Sequence, residues 1–283
     1  MRPDLTMLRV LLCSAVLGVI ACSNSSSEAG VAGTGAAVQL PSCNSIMPLG
    51  DSITLGVNGG YRNDLHTGLQ QNNCGVSYVG TLSDPNTRVA GKHHEGHPGL
   101  TIGDIASRVN GWVASTQPNF ILLMIGTNDT AWFTNEDGAE IGMRHSALID
   151  QLRVARPDAW ILVASIPPQS ARLIHGKGDG ASENKMTDRA ALTQQFNAAV
   201  RNNVEARAAA GQRVRFVDVN RALTTADLFD GIHPTEAAHA RIAQKFLEAM
   251  RAALASSAPR AGLARPAPRW EFKQSGKATF ARG

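Results

Sequence analysis

The chain has 283 residues, 43% of them hydrophobic and 18% charged, a balance that excludes a disordered polymer and fits one large domain with a packed core. Aromatic residues make up only 5%, which argues against a broad lipid-binding surface. The formal charge of +4 comes from the chain's end: residues 260–283 carry six basic residues against Glu271 alone, leaving 21 basic and 22 acidic residues elsewhere, so no nucleic-acid partner is expected.

Arg2 and Arg9 precede an apolar run from Leu11 to Ala21. The run is short for a bilayer span and has the form of a secretory signal, so residues 1–21 read as a signal peptide. Val19-Ile20-Ala21-Cys22 resembles the bacterial lipobox. That resemblance implies cleavage before Cys22, a lipid on its thiol and, with Ser23 following, an outer-membrane address. The alternative is ordinary signal cleavage and a secreted chain. Residues 22–37, rich in Ser, Gly and Ala, read as a flexible tether.

From residue 38 onward, apolar strand-like runs alternate with helical stripes. Ser45–Leu49 is a strand ending at Gly50. Tyr61, Leu65 and Leu69 recur every four residues, as on a helix. Val76–Val79 reads as a second strand and Thr81 to Leu100 as a long loop. Cys43 and Cys74 each stand just before one of these strands. Neighbouring parallel strands would bring them together, so a disulfide is expected, with two buried thiols as the alternative.

Thr101 with Asp104 has the form of a capping box, and Ile102, Ile105, Val109 and Trp112 mark a helix. Phe120–Ile125 is continuously apolar, as in a strand covered on both faces. A helix follows over Ala139–Ala155, then a strand over Trp160–Ile166, stopped by Pro167-Pro168. Asp188–Ala210 reads as a helix stopped by Gly211, Arg213–Val217 as the fifth strand, and Thr235–Leu254 as the last helix. The alternation predicts one α/β domain over 38–257, doubly wound and flavodoxin-like around a five-stranded parallel sheet. Residues 258–283 read as a basic, disordered tail.

In such sheets ligands bind beyond the carboxyl ends of the strands. Asp51-Ser52, Gly126-Thr127-Asn128-Asp129, Pro167-Pro168-Gln169 and the loop from Asp230 to His233 all fall there. An ester hydrolase needs a hydroxyl nucleophile, a base and donors for the developing oxyanion. A carboxylate that orients the base completes the set. Ser52, after Gly50-Asp51, is a candidate nucleophile. His233, three residues after Asp230, lets one loop supply base and orienter. Singly, each has a plain alternative: a turn serine, a turn asparagine, a polar cap.

Together these blocks resemble the SGNH (GDSL-like) hydrolases, in four segments in order: Gly50-Asp51-Ser52, Gly99 in His97-Pro98-Gly99, Gly126-x-Asn128-Asp129, and Asp230-x-x-His233. Gly60-Tyr61-Arg62, Tyr78-Val79-Gly80 and His94-Glu95-Gly96-His97-Pro98-Gly99-Leu100 are similar to the carbohydrate esterase family 3 branch, which includes acetylxylan esterases. Pro98 and Leu100 stand where that branch often has Ser and Trp.

The resemblance implies a serine esterase acting on short-chain, acetyl esters of a polysaccharide. Ser52 would be the nucleophile, His233 the base and Asp230 its orienter. The Ser52 and Gly99 N–H groups and the Asn128 side chain would form the oxyanion hole. No cofactor is implied. Rivals are a broad carboxylesterase, thioesterase or lysophospholipase of the same fold, a polysaccharide acetyltransferase, and a non-catalytic carbohydrate binder. His93-His94-Glu95-Gly96-His97 lacks the helical His-Glu-x-x-His spacing of a zinc site and reads as a loop held by hydrogen bonds. Asp51 and Asp129 are expected to hold loops through backbone amides.

Overall fold

A computed structural model of the chain describes residues 45–72, 74–84, 92–132, 136–175 and 186–257. The signal and tether, Cys22, Cys43 and the basic tail lie outside the described residues.

The first strand, β1 (Ile46–Gly50), is followed at once by the short helix α1 (Ser52–Leu55), then by α2 (Tyr61–Gln70). Two short strands come next, β2 (Leu82–Ser83) and β3 (His93–Gly96), then two short helices, α3 (Ile102–Ala106) and α4 (Val109–Thr116). The chain continues through β4 (Phe120–Met124), α5 (Thr127–Ala131), α6 (Gly138–Ala155) and β5 (Trp160–Ala164). A hairpin of β6 (Leu173–His175) and β7 (Met186–Asp188) precedes α7 (Arg189–Ala209), β8 (Val214–Val217) and α8 (Glu236–Ser257).

The sheet has six strands in the order β2-β3-β1-β4-β5-β8. All neighbours are parallel except β2 and β3. The five parallel strands thus run in the flavodoxin-like order, and the order reverses between β1 and β4. That switch point opens the crevice into which the residues after β1 and β4 project.

Alternate residues of each strand serve opposite faces. Phe120, Leu122 and Met124 of β4 join α2 and α8 through Leu65, Ile242 and Phe246. Ile121 and Leu123 join α3, α4, α6 and α7 through Ile105, Val113, Ile149 and Phe196. This is why the strand reads as one apolar run: it has no polar face. Each fully buried Leu, Ile or Phe stabilises the fold by roughly 1.5–3 kcal/mol, so β4 alone ties both helical layers together.

Three expectations are corrected. Val76–Val79 is not a full strand. Ile46 donates to Ser77 O and accepts from Val79 N, and Tyr78 forms an isolated bridge with it. Beyond Ile46 the neighbour of β1 is β3, which the sequence reading placed inside a loop. The edge position is therefore shared between two segments. Hydropathy misses β3 because His94 and Glu95 are buried polar groups paired by side chains. Gly96 N donates to His94 Nδ1 at 3.0 Å, and Thr81 donates to Glu95 from its backbone and, at 3.0 Å, from its hydroxyl.

The helix expected from Ile102 to Trp112 is two helices, split at Ser107-Arg108. The Ser107 hydroxyl donates to Asp104 O at 2.7 Å, the local competition by which serine interrupts helices. The β6–β7 hairpin was not anticipated. The other expected strands and helices form within a few residues of their expected bounds, and the Thr101–Asp104 capping box is present.

Candidate active site

Gly50 is the last residue of β1, and its backbone is not in the left-handed region. Its need for a missing side chain comes instead from closeness: a Cβ there would lie 2.0 Å from Met124 O on β4. The close approach of β1 and β4 brings the turn carrying Ser52 beside the turn carrying Asn128. Asp51 then caps α1, accepting from Ile53 N at 3.0 Å. Ser52 is the first residue of that helix, where backbone N–H groups have no acceptor within the helix.

Ser52 Oγ lies 2.9 Å from His233 Nε2. His233 Nδ1 lies 2.6 Å from Asp230 Oδ2. The other carboxylate oxygen, Asp230 Oδ1, accepts from Ile232 N at 2.9 Å and His233 N at 2.7 Å. Burial pushes the Asp230 carboxyl up, but the hydrogen bonds from His233 and Ile232 outweigh it and hold it below its usual value. An ionised Asp230 fixes the imidazole with Nδ1–H toward itself and Nε2 free to accept from Ser52.

The structure brings Gly99 and Asn128 to the same rim. His97 N donates to Gly50 O at 2.9 Å, and Asn128 Nδ2 donates to Leu100 O at 2.9 Å. The Gly99 turn is thereby held between the ends of β1 and β4. Gly99 has φ +80°, and a Cβ there would meet nothing within 4 Å, so glycine serves the backbone conformation. Asn128 Oδ1 accepts from Trp132 Nε1 at 3.3 Å. With its oxygen and one amide hydrogen occupied, Asn128 keeps its second amide hydrogen for another acceptor.

Asp129 does the work of a strut. It accepts from Ile102 N at 3.1 Å and from Arg144 at 2.9 Å, tying α3 and the Gly99 loop to α5. Burial raises its carboxyl despite Arg144. Asp51 is fully buried, and burial pushes it from 3.8 to about 6 against the Ile53 amide bond. Glu95 holds His97 Nε2 at 2.8 Å, and His97 stacks on Trp112 at 4.5 Å. The His-rich loop is thus held by internal hydrogen bonds and packing.

Four further residues support the site: Arg62 and Gln169, which lie in segments the sequence singled out, and Trp132 and Arg189, which do not. Trp132 lies one helical turn after Asn128, a spacing that could have drawn it in. Gln169 donates to Thr130 Oγ1 at 2.8 Å and Thr127 O at 3.3 Å, bracing α5 from the end of β5. Arg62, buried, donates to Leu55 O at 2.9 Å and pairs with Asp84 at 3.1 Å, so it anchors the end of α1. Arg189 donates to Ser170 O at 2.9 Å, and Ser170 N donates to Gly231 O at 2.9 Å, steadying the Asp230–His233 loop. Arg189 acts through long-range contacts with no short motif, whereas Arg62 lies in Gly60-Tyr61-Arg62 and Gln169 follows Pro167-Pro168.

The profile of the GDSL-like lipase/acylhydrolase family matches residues 49–241, which include every one of these site residues. The chain belongs to that family. It is 28% identical over 240 residues to a multidomain esterase of Ruminococcus flavefaciens, covering 75% of this chain and 29% of that protein. The chain therefore spans less than a third of that relative. Among solved structures, a family 3 carbohydrate esterase of Clostridium thermocellum is 29% identical with a TM-score of 0.60, over 76% of this chain and 99% of that one. A carbohydrate esterase family 3 protein from Talaromyces cellulolyticus is 25% identical with a TM-score of 0.62, over 75% and 99%.

Two outcomes follow from this geometry. If the Asn128 amide is an oxyanion donor, Asn128→Ala is expected to lower kcat by roughly 100- to 1,000-fold with little change in KM; steady-state kinetics on an aryl acetate checks this, and an unchanged kcat would remove Asn128 from the site. Asp51→Asn keeps an amide-accepting cap without a titrating group. Because the folded carboxyl titrates near 6 rather than 3.8, protonation favours the folded state. Wild-type stability therefore falls as pH rises from about 4 to above about 6, by on the order of 3 kcal/mol. The variant should lack this loss, so its denaturant stability relative to wild type should rise between about pH 4 and about pH 7.5. A constant difference would contradict the assignment.

Proposed function

We propose that this chain is a serine esterase that removes acetyl groups from a polysaccharide such as xylan, through an acyl-enzyme on Ser52. The observation that carries the proposal is the continuous line from Ser52 Oγ through His233, 2.9 Å away, to Asp230, 2.6 Å further on. The carbohydrate ester is supported by the likeness to solved family 3 carbohydrate esterases at 25% identity or above, and the acetyl group by the likeness to a solved acetyl esterase that is 25% identical with a TM-score of 0.62 over 75% of this chain and 99% of that one.

In the proposed reaction His233 Nε2 takes the Ser52 proton as Oγ attacks the acetyl carbon. The tetrahedral oxyanion is held by the Ser52 and Gly99 N–H groups and by the Asn128 amide. His233 then gives its proton to the sugar oxygen as the ester bond breaks. Water enters, His233 removes its proton, and attack on the acyl-enzyme releases acetate and restores Ser52. Asp230 stays ionised and stabilises the imidazolium in both halves.

The proposal extends to the cell envelope. Residues 1–21 would direct export and Cys22 would carry a lipid anchor, with the outer membrane as its address. In that oxidising compartment Cys43 would pair with Cys74. The hydrogen bond from Ile46 N to Ser77 O, 2.9 Å, supports this, because it holds the segments following the two cysteines side by side.

Ser52→Ala should cut acetate release from acetylated xylan by roughly 10,000-fold or more, leaving substrate affinity similar. Equal rates in both proteins would end the esterase proposal. A preference for long acyl chains would replace the polysaccharide substrate with a lipid or general ester, and acetyl transfer to added sugar over hydrolysis would make the chain a transferase. Mass spectrometry of the mature protein should find Cys22 first and lipidated, with Cys43 and Cys74 linked in a non-reducing digest. An unmodified Cys22, or unlinked cysteines, would remove those parts.

A further inference from the structure

β8 is the last strand of the sheet, and among the described residues it pairs only with β5. Ile161 N donates to Arg213 O at 3.0 Å and Ser165 N to Val217 O at 3.1 Å, so the backbone of the odd-numbered residues faces β5. The parallel ladder turns the backbone of Val214 and Phe216 the other way. Val214 N is met by Gln212 O at 2.8 Å. Val214 O and both backbone groups of Phe216 have no such partner among the described residues. A row of this kind is a template for a further strand.

The space beside this edge is open. A groove of about 830 Å³ runs along β8 from Arg213 to Asp218, between Arg201 and Glu205 of α7 and Ser256 of α8. Its two faces differ. On the α7 side Arg201 lies over the Phe216 ring at 4.4 Å, and its charge is met by Asp218 and, at 3.5 Å, by Glu205. On the α8 side Arg215 lies over the Trp160 ring at 6.0 Å and donates to Ala252 O at 3.5 Å. Arg213 donates to Asp158 O at 2.7 Å. Arg213 and Arg215 thus meet carbonyl oxygens, and no carboxylate balances either of them among the described residues. The groove offers an aromatic ring on one face, positive charge on the other, and backbone groups between them.

The chain itself supplies a segment with the complementary pattern. It leaves α8 at Ser257, next to the groove wall at Ser256. Residues 258–268 carry Pro259, Pro266 and Pro268. They can span up to about 36 Å, whereas β8 is roughly 13 Å long, so the whole edge is within reach. Arg269-Trp270-Glu271-Phe272-Lys273 follows, alternating polar and apolar with no proline, which is the period of a strand. Glu271 is the one acidic residue of this basic stretch. With Trp270 and Phe272 on the face of Phe216, the alternation puts Glu271 on the face of Arg215.

We propose that residues 269–273 dock along the free edge of β8 as a further strand, with Trp270 and Phe272 beside Phe216 and Glu271 beside Arg215. The chain thereby closes its own sheet edge, which otherwise stands ready to pair with a second copy. The inference is independent of the esterase function proposed above.

Hydrogen exchange of the full chain, read at single amides by NMR, tests this. The Phe216 amide should exchange about tenfold or more slowly in wild type than in the full-length Trp270→Asp, Phe272→Asp double variant. The Arg215 and Val217 amides, which face β5, should exchange alike in both. Adding a peptide of residues 266–276 at millimolar concentration to the double variant should restore the protection of Phe216. Glu271→Arg, which sets like charges side by side, should speed Phe216 exchange by about threefold.

Equal Phe216 exchange in wild type and the double variant would overturn the docking. So would a change shared equally by Arg215 and Val217, because that marks a general loss of stability. Protection that disappears on dilution, together with the mass of a dimer, would give the edge to a second copy instead of the tail. An unchanged rate in Glu271→Arg would contradict the pairing with Arg215.

Discussion

The hydrogen bond between Ser52 and His233 joins residues 181 positions apart, and most of the architecture serves to make it short. Ser52 is placed by the end of β1, by the buried Asp51 cap and, through Leu55, by Arg62. His233 is placed by its own Asp230, and the loop around Gly231 is steadied by Ser170 and Arg189. Neither residue could hold this geometry from local sequence alone. The sheet's switch point supplies the common edge, and the helices packed on both faces keep that edge rigid.

The second theme is the use of buried carboxylates as struts. Asp51, Asp129 and Glu95 are all buried, and each binds backbone amides or a cationic or imidazole partner at the rim. Burying a carboxylate is costly unless its lone pairs are satisfied. Burial raises Asp51 and Asp129, so the site accepts a stability cost for order in its loops. Through Ile102 N and Arg144, Asp129 ties the segment after the Gly99 turn to the Asn128 helix.

Much of the fold was legible because its central strands are covered on both faces. Phe120–Met124 and Trp160–Ala164 read as apolar runs, and the amphipathic helices between them read by their period. The edge of the sheet was not legible. His93–Gly96 forms a strand from residues that hydropathy assigns to a loop, because its polar groups are satisfied by Thr81, His97 and a backbone amide. The candidate site residues Ser52, Asn128, Asp230 and His233 were visible as polar residues beyond apolar runs, while Gly99, inside a long loop, was reached only through the family resemblance. Of their supports, Arg62 and Gln169 lie in segments the sequence singled out, but their contacts, like those of Arg144 and Arg189, span distances that no short motif encodes.

The most direct test of the central claim is chemical. A fluorophosphonate reacts with a hydroxyl only when a neighbouring base activates it. After brief exposure of the full chain, peptide mass spectrometry should find a single adduct, on Ser52, and His233→Ala should abolish it without unfolding the protein. Labelling of a different residue, or labelling of Ser52 that persists undiminished in the folded His233→Ala variant, would contradict the account.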